Sequence, residues 1–377
     1  MFKAKLILAV VLIFGALGAA GLKNMLTIPP SVGSPMGQSF RAGNDVVTLI
    51  RTLEPYIPTL HRNPEKNRYR IALFVSPVED PARGRMIPIA KGFRFNDLKL
   101  ARVIGFDGIN VWCNVDQIKG VNLKTGAVVG DAELKKANPS LDEEWDDMRR
   151  FSCGTRLRVA TPDRKQFFEV DPVTLKAAPV LVKNDVVAPL FGVPLESFLS
   201  AGVRPSPTKW LALLSPKHAA SHYKTKSWLG PINRAENVKE LRRFHRGALG
   251  PELEKGNREI LSMTALSKNE YLNAAFLRTG LDAEPIRLSS PDSFLMIYTG
   301  SPAMGATLIV VRVTTEGELV WKADTGLERF SLKQILPHER FPAFVGTKPP
   351  VPGKVSEPLL VVISVESGEV SPRSLWK

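Results

Sequence analysis

Two cysteines, Cys113 and Cys153, are the only thiols in the chain and stand 40 residues apart. In an oxidising compartment such a pair can staple neighbouring units and constrain the unfolded chain by about 3–4 kcal/mol. The other reading is two buried thiols whose spacing is accidental. His218 and His222 stand four apart, a spacing that places two imidazoles on one helical face and can hold zinc. A catalytic zinc helix needs Glu beside the first His, where this chain has Ala219, and Lys217 and Lys224 repel a cation. The run Asp142-Glu143-Glu144-Trp145-Asp146-Asp147 gathers hard oxygen ligands but lacks the alternate spacing and central glycine of a calcium loop. It reads as the acidic start of a helix. The chain contains no Gly-rich phosphate loop and no Gly-x-Ser-x-Gly elbow. No catalytic residue, metal ligand or cofactor is therefore implied, and the Cys113–Cys153 pair is the one candidate site.

Charge gives a second kind of chemistry. Of 377 residues, 51 are Lys or Arg and 37 are Asp or Glu, for a net charge of +14. The excess is uneven: residues 204–258 hold twelve basic and four acidic residues, and residues 61–102 hold ten and four. Arg68, Arg70, Arg83, Arg85, Lys224, Lys226, Arg242, Arg243 and Arg246 belong to these stretches. Such faces suit anionic lipid head groups, at about 1 kcal/mol per well-placed basic residue. Export of the body and the lack of a binding motif argue against nucleic acid as a partner.

The elements that carry these residues begin with an apolar run. Lys3 and Lys5 precede Leu6 to Leu22, 17 residues without a charge, closed by Lys23. At about 1.5 Å per residue the run is roughly 25 Å long, the lower limit for spanning a bilayer. It reads as a membrane anchor over residues 1–26, or as a signal segment cut after Ala20, with the Lys3/Lys5 end kept in the cytoplasm. A Pro/Gly/Ser stretch over residues 27–39 then reads as a tether.

Beyond it the chain reads as strands with a repeat. Ile109 to Val129, Leu157 to Leu175, Leu308 to Trp321 and Leu359 to Val370 each combine an alternating or β-branched strand, a polar turn and a second short strand. Gly126 to Thr174 is 48 residues, Gly317 to Gly368 is 51, and the 143 between Thr174 and Gly317 is close to three times 48. A period of 40–50 residues with several strands per unit is that of a β-propeller blade. The phrases Val121-Asn122-Leu123-Lys124-Thr125-Gly126 and Gly317-Glu318-Leu319-Val320-Trp321 resemble quinoprotein-type propeller repeats, which carry Asp-x-x-Thr-Gly followed by Trp. The first phrase departs in having Asn122 for Asp and no closing Trp. The resemblance implies a quinone-binding enzyme with a vicinal disulfide and a calcium constellation in its funnel, and the separated cysteines lack the first of these. Between the repeats the pattern turns helical from Asn233, with Val238, Leu241, Phe244 and His245 on one face, and again from a capping box at Ser267-Lys268-Asn269-Glu270 to Gly280. Ser140 to Arg150 reads as a third helix.

The expected architecture is all-β: a β-propeller of about six to eight irregular blades over residues 40–377, with a helical insertion around 195–290. Two ordinary sandwiches are the competing fold. The expected role is a non-catalytic interaction module held outside the cytoplasmic membrane, serving an envelope protein or polymer. The alternative is a quinoprotein-like oxidoreductase, or a hydrolase, with its site in the funnel.

Overall fold

The computed structural model describes residues 33–54, 68–94, 101–148, 150–163, 165–181, 195–203, 209–214, 238–246, 260–278, 292–303, 305–352 and 356–376, with Leu98, Ile286, Leu288 and Ser289 between them. The apolar run Leu6 to Leu22 and the His218/His222 pair lie outside these residues. Among the described residues, no helix is long and apolar enough to cross a membrane.

The described residues are mostly β and form five antiparallel sheets in sequence order. The first contains β1 (Ser34–Ala42), β2 (Asp45–Leu53), β3 (Tyr69–Pro77) and β4 (Arg85–Phe93). β1 begins inside the stretch read as tether. The second holds β5 (Arg102–Phe106), β6 (Asn110–Val115), β7 (Gln117–Asn122) and β8 (Val128–Val129), and the third β9 (Arg150–Cys153), β10 (Leu157–Ala160), β11 (Phe167–Val170) and β12 (Ala177–Val180). Two short helices separate these sheets, α1 (Asp131–Ala137) and α2 (Asp142–Trp145). The fourth sheet runs from β13 (Leu199–Ser200) and β14 (Gly202–Val203) through β15 (Lys209–Leu214), β16 (Val238–Arg246), β17 (Ile260–Leu277), β18 (Ser293–Thr299) and β19 (Thr307–Thr314) to β20 (Leu319–Glu328). The fifth contains β21 (Gln334–Leu336), β22 (Ala343–Thr347), β23 (Pro358–Ile363) and β24 (Val370–Ser374).

The strands of the fifth, first and second sheets are apolar on both sides because both sides are covered. On β23, Leu359, Val361 and Ile363 enter a core shared with the fourth sheet, whereas Leu360 and Val362 enter one shared with the first. On β2, Val46 and Ile50 meet the fifth sheet, and Val47 and Leu49 meet the second. On β6, Val111, Cys113 and Val115 face the first sheet, and Trp112 faces the third. The packing order is thus fourth, fifth, first, second, third. The first strands of successive sheets are neighbours: β21 beside β1, β1 beside β5, β5 beside β9. Among the described residues no core joins the third sheet to the fourth, so the circuit is not closed.

The repeat is real, and it marks the last hairpin of a sheet. In the second sheet Gly126 N–H donates to Asn122 O and Asn122 N–H to Ala127 O; Leu175 with Asp171, and Gly368 with Ser364, repeat the pattern in the third and fifth. The fifth residue of each turn takes the left-handed conformation, with φ of 76°, 60° and 75° at Gly126, Leu175 and Gly368. The first residue holds the turn by its side chain. Asn122 Oδ1 accepts from the Lys124 and Thr125 N–H groups, and Asp171 Oδ1 accepts from those of Val173 and Thr174. Gly317 closes a shorter version in the fourth sheet.

Two expectations fail in the middle of the chain. Among the described residues five hydrogen-bonded sheets stand where six to eight blades were expected, because the 18-residue β17 pairs with β16 and then with β18 and merges two blade lengths into one eight-stranded sheet. The segments read as helices at 238–246 and 267–277 are the strands β16 and β17. The cause is local: register shifts interrupt both strands, and Asn273 has φ of 51°. The inward residues Tyr271, Ala274 and Phe276 are therefore spaced three and then two, and the three-residue step imitates a helical stripe. The third helix is shorter than its sequence suggests. Residues 139–141 form a 3-10 turn, α2 ends at Trp145, and Arg150 opens β9.

Substituting the two turn glycines separates conformational strain from steric crowding. A Cβ at Gly126 meets nothing within 4 Å, whereas one at Gly368 lies 2.8 Å from the Trp321 ring. Gly126→Ala should cost about 1 kcal/mol in equilibrium denaturation, the left-handed penalty alone, and Gly368→Ala distinctly more. Equal costs would show that Trp321 yields freely.

Candidate functional site

The structure gives the two cysteines separate surroundings. Both thiols are free and buried. Cys113 projects from β6 toward the first sheet, and Cys153 projects from β9 onto the opposite face of the second sheet, where a Cβ on Gly105 would touch it. The expected disulfide does not form, because the second sheet stands between the sulfurs and packed sheets lie about 10 Å apart. Burial raises the pKa of both thiols, that of Cys153 to about 12 with help from Asp107. Neither is a nucleophile at neutral pH.

The other sequence candidates are used locally. The acidic run starts α2, and Asp146 pairs with Lys135 at 2.7 Å. Among the described residues no group of three or more His, Cys, Asp or Glu is placed to hold a metal ion. The described basic residues disperse: Arg68 bonds Gly92 O, Arg70 pairs with Glu54, Arg83 with Asp80, Arg85 with Leu123 O, and Arg243 with Glu316. Lys224 and Lys226 lie outside the described residues.

A different basic site stands at the seam between the first and fifth sheets. Here β1 and β21 are clasped by Gln334, whose Oε1 accepts from Ser39 N–H at 2.8 Å and whose Nε2 donates to Ser39 O at 2.7 Å. Beside them Ser39 Oγ and Thr48 Oγ1 share a buried hydrogen bond of 2.6 Å. At the end of β1, Arg41 is half-buried and makes one hydrogen bond, Nη1 to Phe341 O at 3.0 Å. Its Nε and Nη2 are buried without a partner. Burial alone lowers its pKa to about 10, so it remains a cation at neutral pH.

Phe341 belongs to the turn Pro337-His338-Glu339-Arg340-Phe341-Pro342 between β21 and β22. Backbone bonds hold this turn from outside: Ser289 N–H to Glu339 O, Val365 N–H to Arg340 O and Ile363 N–H to Pro342 O. His338 Nδ1 accepts the N–H groups of Arg340 and Phe341 at 3.2 and 3.0 Å, which leaves the ring proton on Nε2 as a donor. Burial lowers the His338 pKa, and the charges of Arg41 and Arg340 lower it further against Glu339. The Arg340 guanidinium lies 5.2 Å from the Phe341 ring centre. A cation with free buried donors, a neutral imidazole donor and an exposed second cation make an arrangement that can receive an anion.

Arg41, His338 and Arg340 carry no motif, so sequence reasoning passed over them. The one available signal is the proline-bracketed turn at Pro337 and Pro342, and it marks rigidity rather than chemistry.

No protein-family model and no curated protein sequence matches this chain. Solved structures similar to it include the β-propeller domain of the Trilobed protease from Pyrococcus furiosus, 9% identical with a TM-score of 0.31 over 90% of this chain and 97% of that one. The Kuenenia stuttgartiensis hydrazine synthase is 12% identical with a TM-score of 0.26, over 71% of this chain and 64% of that one. A Pyrococcus horikoshii acylaminoacyl peptidase is 12% identical with a TM-score of 0.31, over 92% of this chain and 52% of that one. TM-scores near 0.3 are too low to assign a shared fold, so the sheet order and packing define the architecture.

The thiols give a direct check. Under denaturing, non-reducing conditions two thiols should react per chain, and in the native protein both should react far more slowly than a small-molecule thiol at pH 8. Fewer than two reactive thiols after denaturation would contradict the separation of the cysteines by the second sheet.

Proposed function

We propose that this chain is a non-catalytic interaction module of propeller-like construction that docks an acidic partner. One observation carries the reading: among the described residues the polar side chains of the body are largely used inside it, and what remains unpartnered is mostly cationic. Asp107 accepts the Ile109 and Asn110 N–H groups and Trp112 Nε1. Asn138 bonds Leu134 O, Leu175 O and Ala177 N–H. Arg158 pairs with Glu169 at 2.7 Å. Of the six buried side-chain atoms without a hydrogen-bond partner among the described residues, five are guanidinium nitrogens, on Arg41, Arg243, Arg329 and Arg373. With a net charge of +14, the module is suited to carboxylate- or phosphate-rich surfaces.

The propeller-like construction is supported by the repeated hairpin and by Trp321, whose Nε1 donates to Val365 O and which lies over Gly368 of the next sheet. The apolar run Leu6 to Leu22 would tether the module to the cytoplasmic membrane, with the body outside the cytoplasm and an envelope protein or polymer as partner.

Crosslinking of the full chain in its native membrane, followed by identification of the product, tests this. The expected result is an acidic partner whose capture falls as salt rises from about 0.05 to 0.5 M, since screening shortens the reach of surface charge. Crosslinking to a basic partner, or capture indifferent to salt, would overturn it.

A further inference from the structure

The six unpartnered buried atoms are concentrated. On the first sheet, Arg41, Val46 and Ser76 are cross-strand partners in one row across β1, β2 and β3, and Val46 faces the fifth sheet. Arg41 Nε and Nη2 and Ser76 Oγ are three of the six atoms. Arg373 Nε is a fourth. Its residue pairs with Leu360, which faces the first sheet from the other side of the same seam. The seam core is otherwise apolar, formed by Ile50, Phe74, Val78, Leu336, Ala343, Val345 and Val362 among others. Buried donors left unmade in such surroundings are costly, above all on a charged group, and native proteins fill these places with water or an ion.

The charge at the Arg41 end of the seam selects between the two. Among the described residues no carboxylate pairs with Arg41; His338, close enough to feel the Arg41 charge, keeps a ring N–H free of the turn, and Arg340 stands exposed in that turn next to the exposed Glu339. Water would satisfy hydrogen bonds but leave the guanidinium charge uncompensated, whereas an oxyanion satisfies both. The turn cannot withdraw from the site, because backbone bonds from Ser289, Ile363 and Val365 fix it.

From these contacts we infer that the end of the first–fifth seam is a binding site for a small oxyanion, held by Arg41 with His338 and Arg340. Phosphate and carboxylate share the required chemistry. The anion crosslinks β1 to the β21–β22 turn and so stabilises the junction between the two ends of the body. This ligand site goes beyond the docking of an acidic macromolecule and stands whether or not such a partner exists.

The test is thermal unfolding of the full chain with inorganic phosphate or acetate added at constant ionic strength, chloride serving as the control. Wild type should show a saturable rise in melting temperature of a few degrees with phosphate, acetate or both, and the anion giving the larger rise identifies the source. Arg41→Gln should weaken the apparent affinity by about tenfold or more, while Arg329→Gln, whose unpartnered Nε lies outside this seam, should leave it unchanged. No response in wild type beyond chloride, or an undiminished response in Arg41→Gln, would overturn the site. Should Arg41→Gln fail to fold, the exposed Arg340→Gln decides: a response several-fold weaker supports the site, and an unchanged one removes it.

Discussion

The clasp between β1 and β21 joins Ser39 to Gln334 across 295 residues of sequence and Arg41 to Phe341 across 300. Closing so long a loop is opposed by chain entropy that grows only slowly with length, so a few good bonds and one apolar seam can hold it. Gln334 contributes two of those bonds through a single side chain, and the seam behind it is apolar from Val46 to Leu375. With the clasp made, the first sheet is covered on both faces. Its second face then supports the second sheet, which in turn supports the third. Without it, Val46, Ile50 and Phe74 on one side and Leu360 and Val362 on the other would face water.

Burial on both faces also explains the use of polar groups. A sheet with no wet face has few places for a side-chain donor except its turns and its ends. Asn122, Asp171 and Ser364 cap turns, Asp107 anchors Trp112, and Gln334 bridges strands. Arg41 departs furthest from this, a cation at the edge of an apolar seam with two of its nitrogens unbonded among the described residues. The seam that joins the first sheet to the fifth is therefore also where buried guanidinium nitrogens lack a hydrogen-bond partner among the described residues.

Much of the β-architecture was legible. The hairpins at Gly126, Gly317 and Gly368 were found from spacing and turn chemistry, because a left-handed turn residue leaves a local signature. Leu175 occupies the equivalent position without a glycine, and its turn was still recognised through Asp171 and Thr174. The misread helices at 238–246 and 267–277 show the limit of periodicity. A bulge shifts which residues face inward, and a shifted strand can carry apolar residues three apart. The number of sheets failed for a related reason: nothing local shows whether two adjacent four-strand units share a hydrogen-bonded edge.

The sequence alone determined the β-rich class, the repeated hairpin and the positive balance, since each rests on residue type and short-range spacing. Only the tertiary structure decided that Cys113 and Cys153 lie on opposite faces of one sheet, because a one-residue alternation sends neighbouring side chains to different cores. It likewise decided that Arg41 meets the turn at His338 and Arg340, residues about 300 positions away that share no motif with it. Contacts of that range depend on which sheet packs against which, and local sequence does not encode them.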